Sequence, residues 1–181
     1  MKLELLERTF AQILHLFKPL GIGGAVQSSA VIVREQLADL AALKKSGIVA
    51  ASDEGFPVQN SLVMQRCMEM SVQLDLPIMA HCEDKTLSAG GSMNEGAMSA
   101  MLGLKGIPRS AEEIAIMRNC ILALNTGCQL HVMRVSTWGA VELIRQVKWL
   151  GANVTCEVSP LHFAFTEEAV GEFDTHFKTL P

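Results

Sequence analysis

The sequence predicts an α/β fold with a parallel sheet, and three observations carry that prediction. Residues 76–84, LPIMAHCED, are an apolar run of strand length that ends abruptly in a histidine and two carboxylates. Residues 47–55, GIVAASDEG, and 129–137, QLHVMRVST, repeat the plan, each placing polar side chains at the same end of a short apolar run. Segments of helical periodicity separate these runs. Parallel strands need such crossovers, because a tight turn cannot join them. In parallel α/β proteins the C-terminal strand ends carry the ligand-binding side chains, so the three polar ends predict one shared site.

Taken in order, residues 1–16 read as an amphipathic helix or a helix running into a short strand, their apolar positions not choosing between the two periods. Residues 18–25, KPLGIGGA, read as a loop by their Pro and Gly content. Glu4, Glu7 and Arg8 interrupt the first segment, which excludes an uninterrupted secretory core or a membrane span there. Residues 33–46 predict a helix, with lysines in its last turn and Gly47 as its stop. A buried strand follows over 48–51. Residues 60–75 predict the next helix, with Asn60 or Ser61 as N-cap and Leu62, Met64, Cys67, Met68 and Val72 on its apolar side.

The strand at 76–81 leads into a glycine-rich connection, 85–96, containing GGSMNEG. It has neither the Gly-Lys-Ser/Thr ending of a P-loop nor the Rossmann spacing, so it predicts a loop over a site. Ser110, Glu112 and Glu113 open a helix that Gly127 ends. A strand at 129–135, a helix at 138–149 and a strand at 153–158 complete the pattern.

Composition narrows the function. The chain has 181 residues, is 49% hydrophobic and carries a net charge of −4. Its basic residues are scattered, which excludes the basic stripe of a nucleic-acid binder. Cys67, Cys82, Cys120, Cys128 and Cys156 are odd in number and lack CxxC spacing, which predicts free thiols in a reducing, cytoplasmic setting. On length, an open doubly wound sheet is favoured over a (β/α)8 barrel, which takes about 250 residues.

The motifs change that preference. SDEG-FPV, PIMAHCED, GGSMNEG, GIPRSAEE, HVMRVST and TCEVSP-LH-F, ending in DTHFKTLP, run in order over about residues 20–181. This series resembles dihydroorotase of the long bacterial, amidohydrolase type. The resemblance implies a partial (β/α)8 TIM-type barrel of the metal-dependent hydrolase kind, covering about strands three to seven. Residues 1–181 then form a single incomplete amidohydrolase barrel domain. It further implies interconversion of carbamoyl-aspartate and dihydroorotate in pyrimidine biosynthesis, with zinc as cofactor.

Carried over by residue, the resemblance assigns metal positions to His81, to Glu54 (27 residues before it) and to the neighbouring Asp53. No residue is assigned as catalytic. The chain also departs from the family pattern. Arg134 stands at the strand-six ligand position, where a permanently protonated guanidinium cannot ligate zinc. Leu161 and Leu180 replace a histidine and an asparagine, and no His-x-His pair occurs. His131 is expected to be a packing or supporting residue, His162 a loop residue, and Glu83 and Asp84 loop braces. An ion pair of Arg134 with Glu54 would put a cation where a metal would otherwise sit.

Two readings follow from the resemblance. One is a dihydroorotase-like enzyme that is inactive as this chain alone. The other is a non-catalytic structural partner of aspartate carbamoyltransferase, or a homo-oligomer. A hydantoinase- or allantoinase-like activity is a weaker third. A small-molecule substrate is implied for the enzyme, with no nucleic acid and no membrane.

Overall fold

A computed structural model describes residues 40–45, 47–53, 55–171 and 173–178. The helix, or helix running into a short strand, expected at 1–16, the loop at 18–25, residues 33–39 and 46 of the 33–46 helix, Glu54 with its expected Arg134 ion pair, and Leu180 lie outside the described residues.

Four parallel strands form the main sheet: β1 (Ala51–Ser52), β2 (Ile78–His81), β5 (Leu130–Met133) and β6 (Val154–Cys156), in the order β1-β2-β5-β6. Between β2 and β5 a separate two-stranded parallel ladder is made by β3 (Met93–Asn94) and β4 (Gly106–Ile107). Helices α1 (Leu40–Lys45), α2 (Ser61–Gln73), α5 (Ser110–Thr126) and α6 (Trp138–Trp149) alternate with the strands of the main sheet. The expected lysines, Lys44 and Lys45, close α1. Short helices α3 (Lys85–Ser88), α4 (Ala97–Leu102) and α7 (Pro160–Ala164) and two 3-10 turns, Glu167–Val170 and Thr175–Phe177, complete the elements of the described residues.

Local chemistry sets these boundaries. Asn60 caps α2, its Oδ1 accepting the N–H groups of Leu62 at 2.9 Å and Val63 at 3.3 Å. Gly127 ends α5 in the left-handed conformation at φ 76°, which a side chain would resist. Thr137 caps α6 through Ala140 N–H.

The main sheet progresses in one direction without reversal. Each successive strand is added to the same side of the last, so the crossover helices share one face. A doubly wound sheet instead reverses its order and covers both faces. The length-based preference for a doubly wound sheet is therefore corrected. Helix α5 packs between α2 and α6, and their apolar stripes meet the buried side of the sheet. Met64, Cys67, Met68, Ile116, Cys120 and Ile144 close on Ile78, Ala80, Leu130, Val132 and Val154. The register places Met79, His131 and Thr155 side by side on the opposite face. These three remain at least partly exposed. In a closed barrel that face would point inward.

Candidate functional site

Three strand ends meet at the C-terminal edge of the sheet. Asp53 follows β1 directly, His81 ends β2, and Arg134 follows β5. Asp53 Oδ1 accepts the His81 main-chain N–H at 2.9 Å. Both residues are buried, with 3% and 6% exposure. Arg134 lies close enough to influence both charges. Its backbone sits in the left-handed region at φ 55°, where a non-glycine residue is strained. Gly55, at φ 79°, takes a backbone conformation that favours glycine and lies beside the guanidinium, where a Cβ would be in ordinary contact with Arg134 Nη2 at 3.5 Å.

The protonation states follow from these surroundings. Burial raises the Asp53 carboxyl from 3.8 to about 6, opposed by hydrogen bonds from His81 and Gly55 and by the Arg134 charge. Burial lowers the His81 pKa, so the ring is neutral at pH 7. His81 Nε2 faces Glu83 Oε2 at 3.1 Å, and Lys85 Nζ donates to the same oxygen at 2.5 Å. Burial would raise the Glu83 pKa, but hydrogen bonds from Lys85, Ser88 and His81 hold it below the ordinary value. Glu83 is thus an ionised acceptor. The His81 proton belongs on Nε2, and Nδ1 keeps its lone pair.

Among the described residues, three buried side-chain polar atoms have no hydrogen-bond partner: Asp53 Oδ2, His81 Nδ1 and Arg134 Nε. Buried polar atoms are almost always paired, so three around one cluster mark a site rather than a packing accident.

A brace outside the cluster holds it in place. Arg118 on α5 donates to Val58 O at 2.7 Å and Gln59 O at 2.9 Å. Gln59 in turn donates to Glu83 O at 2.8 Å and accepts from Lys85 N–H at 2.9 Å. The fully buried Asn119 reaches Cys82 Sγ at 3.3 Å. Glu112 accepts the N–H groups of Ser136 and Thr137, both at 2.8 Å, fixing the loop just beyond Arg134. Sequence reasoning missed Arg118 and Asn119. The available signal was a polar pair in the middle of an otherwise apolar helix.

The other expected residues fall as follows. Asp84 caps α3 through Thr86 N–H at 2.8 Å, and Glu83 braces His81 and Lys85, as expected of both. His131 turns toward β6, with Nδ1 2.8 Å from Thr155 Oγ1 and Nε2 3.4 Å from Glu157. His162 lies on α7 and donates from Nδ1 to Val135 O at 3.2 Å. Four of the cysteines are buried and Cys156 is exposed. Burial pushes the Cys67 and Cys120 thiols up to about 12, which leaves them unreactive. A groove of about 320 Å³ beside β6 is lined by Val135, Trp138, Val141, Cys156 and Val158 among others, and by none of the three cluster residues.

These groups offer zinc too few ligands. Asp53 Oδ2 and His81 Nδ1 supply two donors, whereas a catalytic zinc takes three protein ligands. The guanidinium beside them repels a cation. Among the described residues, no group of three or more His, Cys, Asp or Glu side chains is arranged to hold a metal ion. The described residues therefore do not fit zinc.

Comparison with known proteins agrees with the motif order. The family model for Dihydro-orotase-like proteins matches residues 25–140. The dihydroorotase of Caldanaerobacter subterraneus subsp. tengcongensis is 51% identical over 147 residues, covering 81% of this chain and 34% of that protein. The dihydroorotase of Pelotomaculum thermopropionicum is 46% identical over 175 residues, covering 93% of this chain and 41% of that protein. This chain thus spans about a third to two fifths of the length of these relatives. Among solved structures, L-hydantoinase (dihydropyrimidinase) from Arthrobacter aurescens superposes with a TM-score of 0.61 at 25% identity, over 79% of this chain and 34% of that one. D-hydantoinase from Bacillus sp. AR9 gives 0.58 at 21% identity, over 76% of this chain and 31% of that one, a likeness of fold alone. The parallel sheet with its one-directional order is thus part of a TIM-barrel amidohydrolase fold, and the chain belongs to the dihydroorotase-like family.

Proposed function

We propose that this chain provides part of a dihydroorotase-type centre for the interconversion of carbamoyl-aspartate and dihydroorotate, and does not turn over substrate alone. The observation that carries this reading is the meeting of Asp53, His81 and Arg134 at three successive strand ends, with polar atoms buried and unpaired. Such a constellation suits a small polar molecule at the mouth of a barrel. Zinc, implied by the resemblance, is left out of the reading because the described donors do not fit it. The domain assignment, residues 1–181 as one incomplete barrel, belongs to the same proposal. Among the described residues no helix is long and apolar enough to cross a membrane. A cytoplasmic location enters through the family.

A second reading rests on a separate observation. Trp138 and Trp149, at the two ends of α6, and Phe163 on α7 are 77%, 86% and 74% exposed. Large exposed aromatics are typical of surfaces that a partner covers. This favours a structural member of the family, assembled with itself or with aspartate carbamoyltransferase.

Carbamoyl-aspartate cyclisation by the purified chain separates the two, measured alone and with a polypeptide carrying the remaining length of the Caldanaerobacter relative. Turnover in the mixture but not in either part supports the first reading. Silence in both, with stable co-elution of aspartate carbamoyltransferase, supports the second. Turnover by the chain alone overturns its assignment as an incomplete centre.

A further inference from the structure

Helix α5 carries two apolar faces. Ala115, Ile116, Cys120 and Ala123 turn inward and are buried. On the opposite side Ile114, Ile121 and Leu124 are 53%, 47% and 37% exposed, with Met117 half-buried between them. These four recur at i, i+3, i+7 and i+10, the spacing of a coiled-coil seam, with isoleucine at both a positions and methionine or leucine at both d positions. A single exposed apolar residue means little, but a row of them along three turns of one helix face is the pattern of a helix that packs against another. No charge interrupts the row. Arg118, the charged residue within its span, is folded back onto Val58 O and Gln59 O.

The flanking helices indicate what covers the row. Helices α2, α5 and α6 run in one direction, each returning the chain between parallel strands, and α5 lies between the other two. On α2, Arg66 in the second turn pairs with Glu69 in the third at 2.8 Å. On α6 the signs are reversed: Glu142 in the second turn pairs with Arg145 in the third. All four side chains are at least partly exposed. A twofold axis parallel to α5 sets α2 of one protomer opposite α6 of its partner, with all helices running the same way. Arg66 then faces the partner's Glu142, and Glu69 faces the partner's Arg145. An antiparallel pairing would bring like charges together instead. We infer that α5 is a homodimer interface, in which Ile114, Met117, Ile121 and Leu124 pack in parallel against the same residues of a second copy, between two charged rims of matching sign. Isoleucine at a with leucine at d is the choice that favours two parallel strands. The row lies on the side of the helix layer turned from the sheet, so it names a contact that neither reading of function specifies.

The test is the mass of the full chain by sedimentation equilibrium, from about 1 to about 200 µM, in a Cys156→Ser background that leaves only buried thiols. Four apolar residues a side make a contact smaller than the standard interface, so a dimer with Kd on the order of 10 µM is expected. Ile121→Glu should weaken it at least about 10-fold with an unchanged far-ultraviolet circular dichroism spectrum. Reversing the α2 rim (Arg66→Glu with Glu69→Arg) keeps the pair within α2 and should weaken the dimer by about 3- to 10-fold. Adding Glu142→Arg and Arg145→Glu should restore the parent affinity. Leu124→Cys should oxidise to a disulfide-linked dimer, because residue 124 meets its own copy only in the parallel pairing. A monomer at about 200 µM overturns the inference. So does a dimer untouched by Ile121→Glu, which places the contact at Trp149, Phe163 or the β6 edge. Failure of the Leu124→Cys cross-link, or of the rim reversal to be rescued, overturns the parallel pairing. A chain that stays monomeric but binds aspartate carbamoyltransferase through Ile121 overturns it as well, giving the row to a different protein. Cyclisation activity bears on none of these outcomes, so this inference and the catalytic reading fail separately.

Discussion

Asp53 Oδ1 holds the His81 main-chain N–H at 2.9 Å, while Oδ2 of the same carboxylate stays buried without a partner. One oxygen ties the end of β1 to the end of β2. The other bears the cost of that position, since a buried anion is expensive when half its acceptor capacity is idle.

That cost predicts a pH dependence. Asp53 titrates at about 6 in the folded chain against an ordinary 3.8. Between about pH 4 and pH 6 the folded state retains a proton that the unfolded state has lost. Stability therefore falls as pH rises through this window and is flat above it, by about 3 kcal/mol in all. His81 acts in the opposite sense: its lowered pKa means the unfolded chain protonates first, so stability falls as pH drops below about 6.5. Asp53→Asn isolates the first effect. In urea unfolding, its stability relative to the parent should rise by about 2–3 kcal/mol from pH 4 to pH 6.5. Parallel curves would mean Asp53 titrates normally.

Arg118 links α5 to the loop beneath the site through the carbonyls of Val58 and Gln59. Arg118→Met keeps the apolar stem but leaves those carbonyls and Asn119 Oδ1 without their donor. A loss of about 2–4 kcal/mol in urea unfolding is expected. Arg118→Lys should recover less than half of it, because a single ammonium cannot span the same acceptors. Equal stability of Arg118→Met and the parent would show the brace to be unimportant.

Glu167, far along the chain, clamps the glycine-rich loop. It accepts from Asn94 Nδ2 and, at 3.3 Å, from Met98 N–H at the open start of α4. A Cβ on Gly96 would collide with the Glu167 carboxylate, and one on Gly106 would lie 2.6 Å from Glu95 Cα. Glu167→Ala should raise the rate of protease cleavage within 89–96 by about 10-fold while leaving the core intact. Gly96→Ala should do the same by displacing the clamp. The double variant should add little to either, since both remove one interaction. Additive effects would separate the two.

The strands and long helices were legible because buried parallel strands and amphipathic helices announce themselves by period. The helix expected at 138–149 is α6, and that expected at 60–75 is α2. Within the excursion between β2 and α5, residues 85–96 read as a loop, yet α3 lies inside that range and α4 directly after it. Both helices are too short for periodicity, although Asp84 was already visible as a cap. In the site, the polar ends of the apolar runs placed Asp53 and His81 at one edge of the sheet, whereas their assignment as metal positions came from the family resemblance alone. The brace from Arg118 and the clamp from Glu167 span 59 residues or more, a distance that no local pattern encodes.

Two of the three described non-glycine residues in the left-handed region give a final, paired prediction. Asp75 at φ 49° sits in an exposed turn, and Arg134 at φ 55° sits in the cluster. Glycine relieves the backbone strain at either place but adds entropy to the unfolded chain, so the net gain is about 0.5–1 kcal/mol. Asp75→Gly should show that gain at every pH, because its carbonyl contact with Lys44 Nζ survives. Burial raises the Asp53 pKa, and Arg134→Gly also removes a charge that opposes this rise alongside the stronger backbone hydrogen bonds from His81 and Gly55. At pH 4, where Asp53 is largely protonated in the fold, Arg134→Gly should approach the gain of Asp75→Gly. At pH 7.5 the ionised Asp53 loses its nearby cation, and the variant should fall below the parent. If the two glycine variants instead kept a constant difference from pH 4 to pH 7.5, Arg134 would have no part in balancing the Asp53 charge.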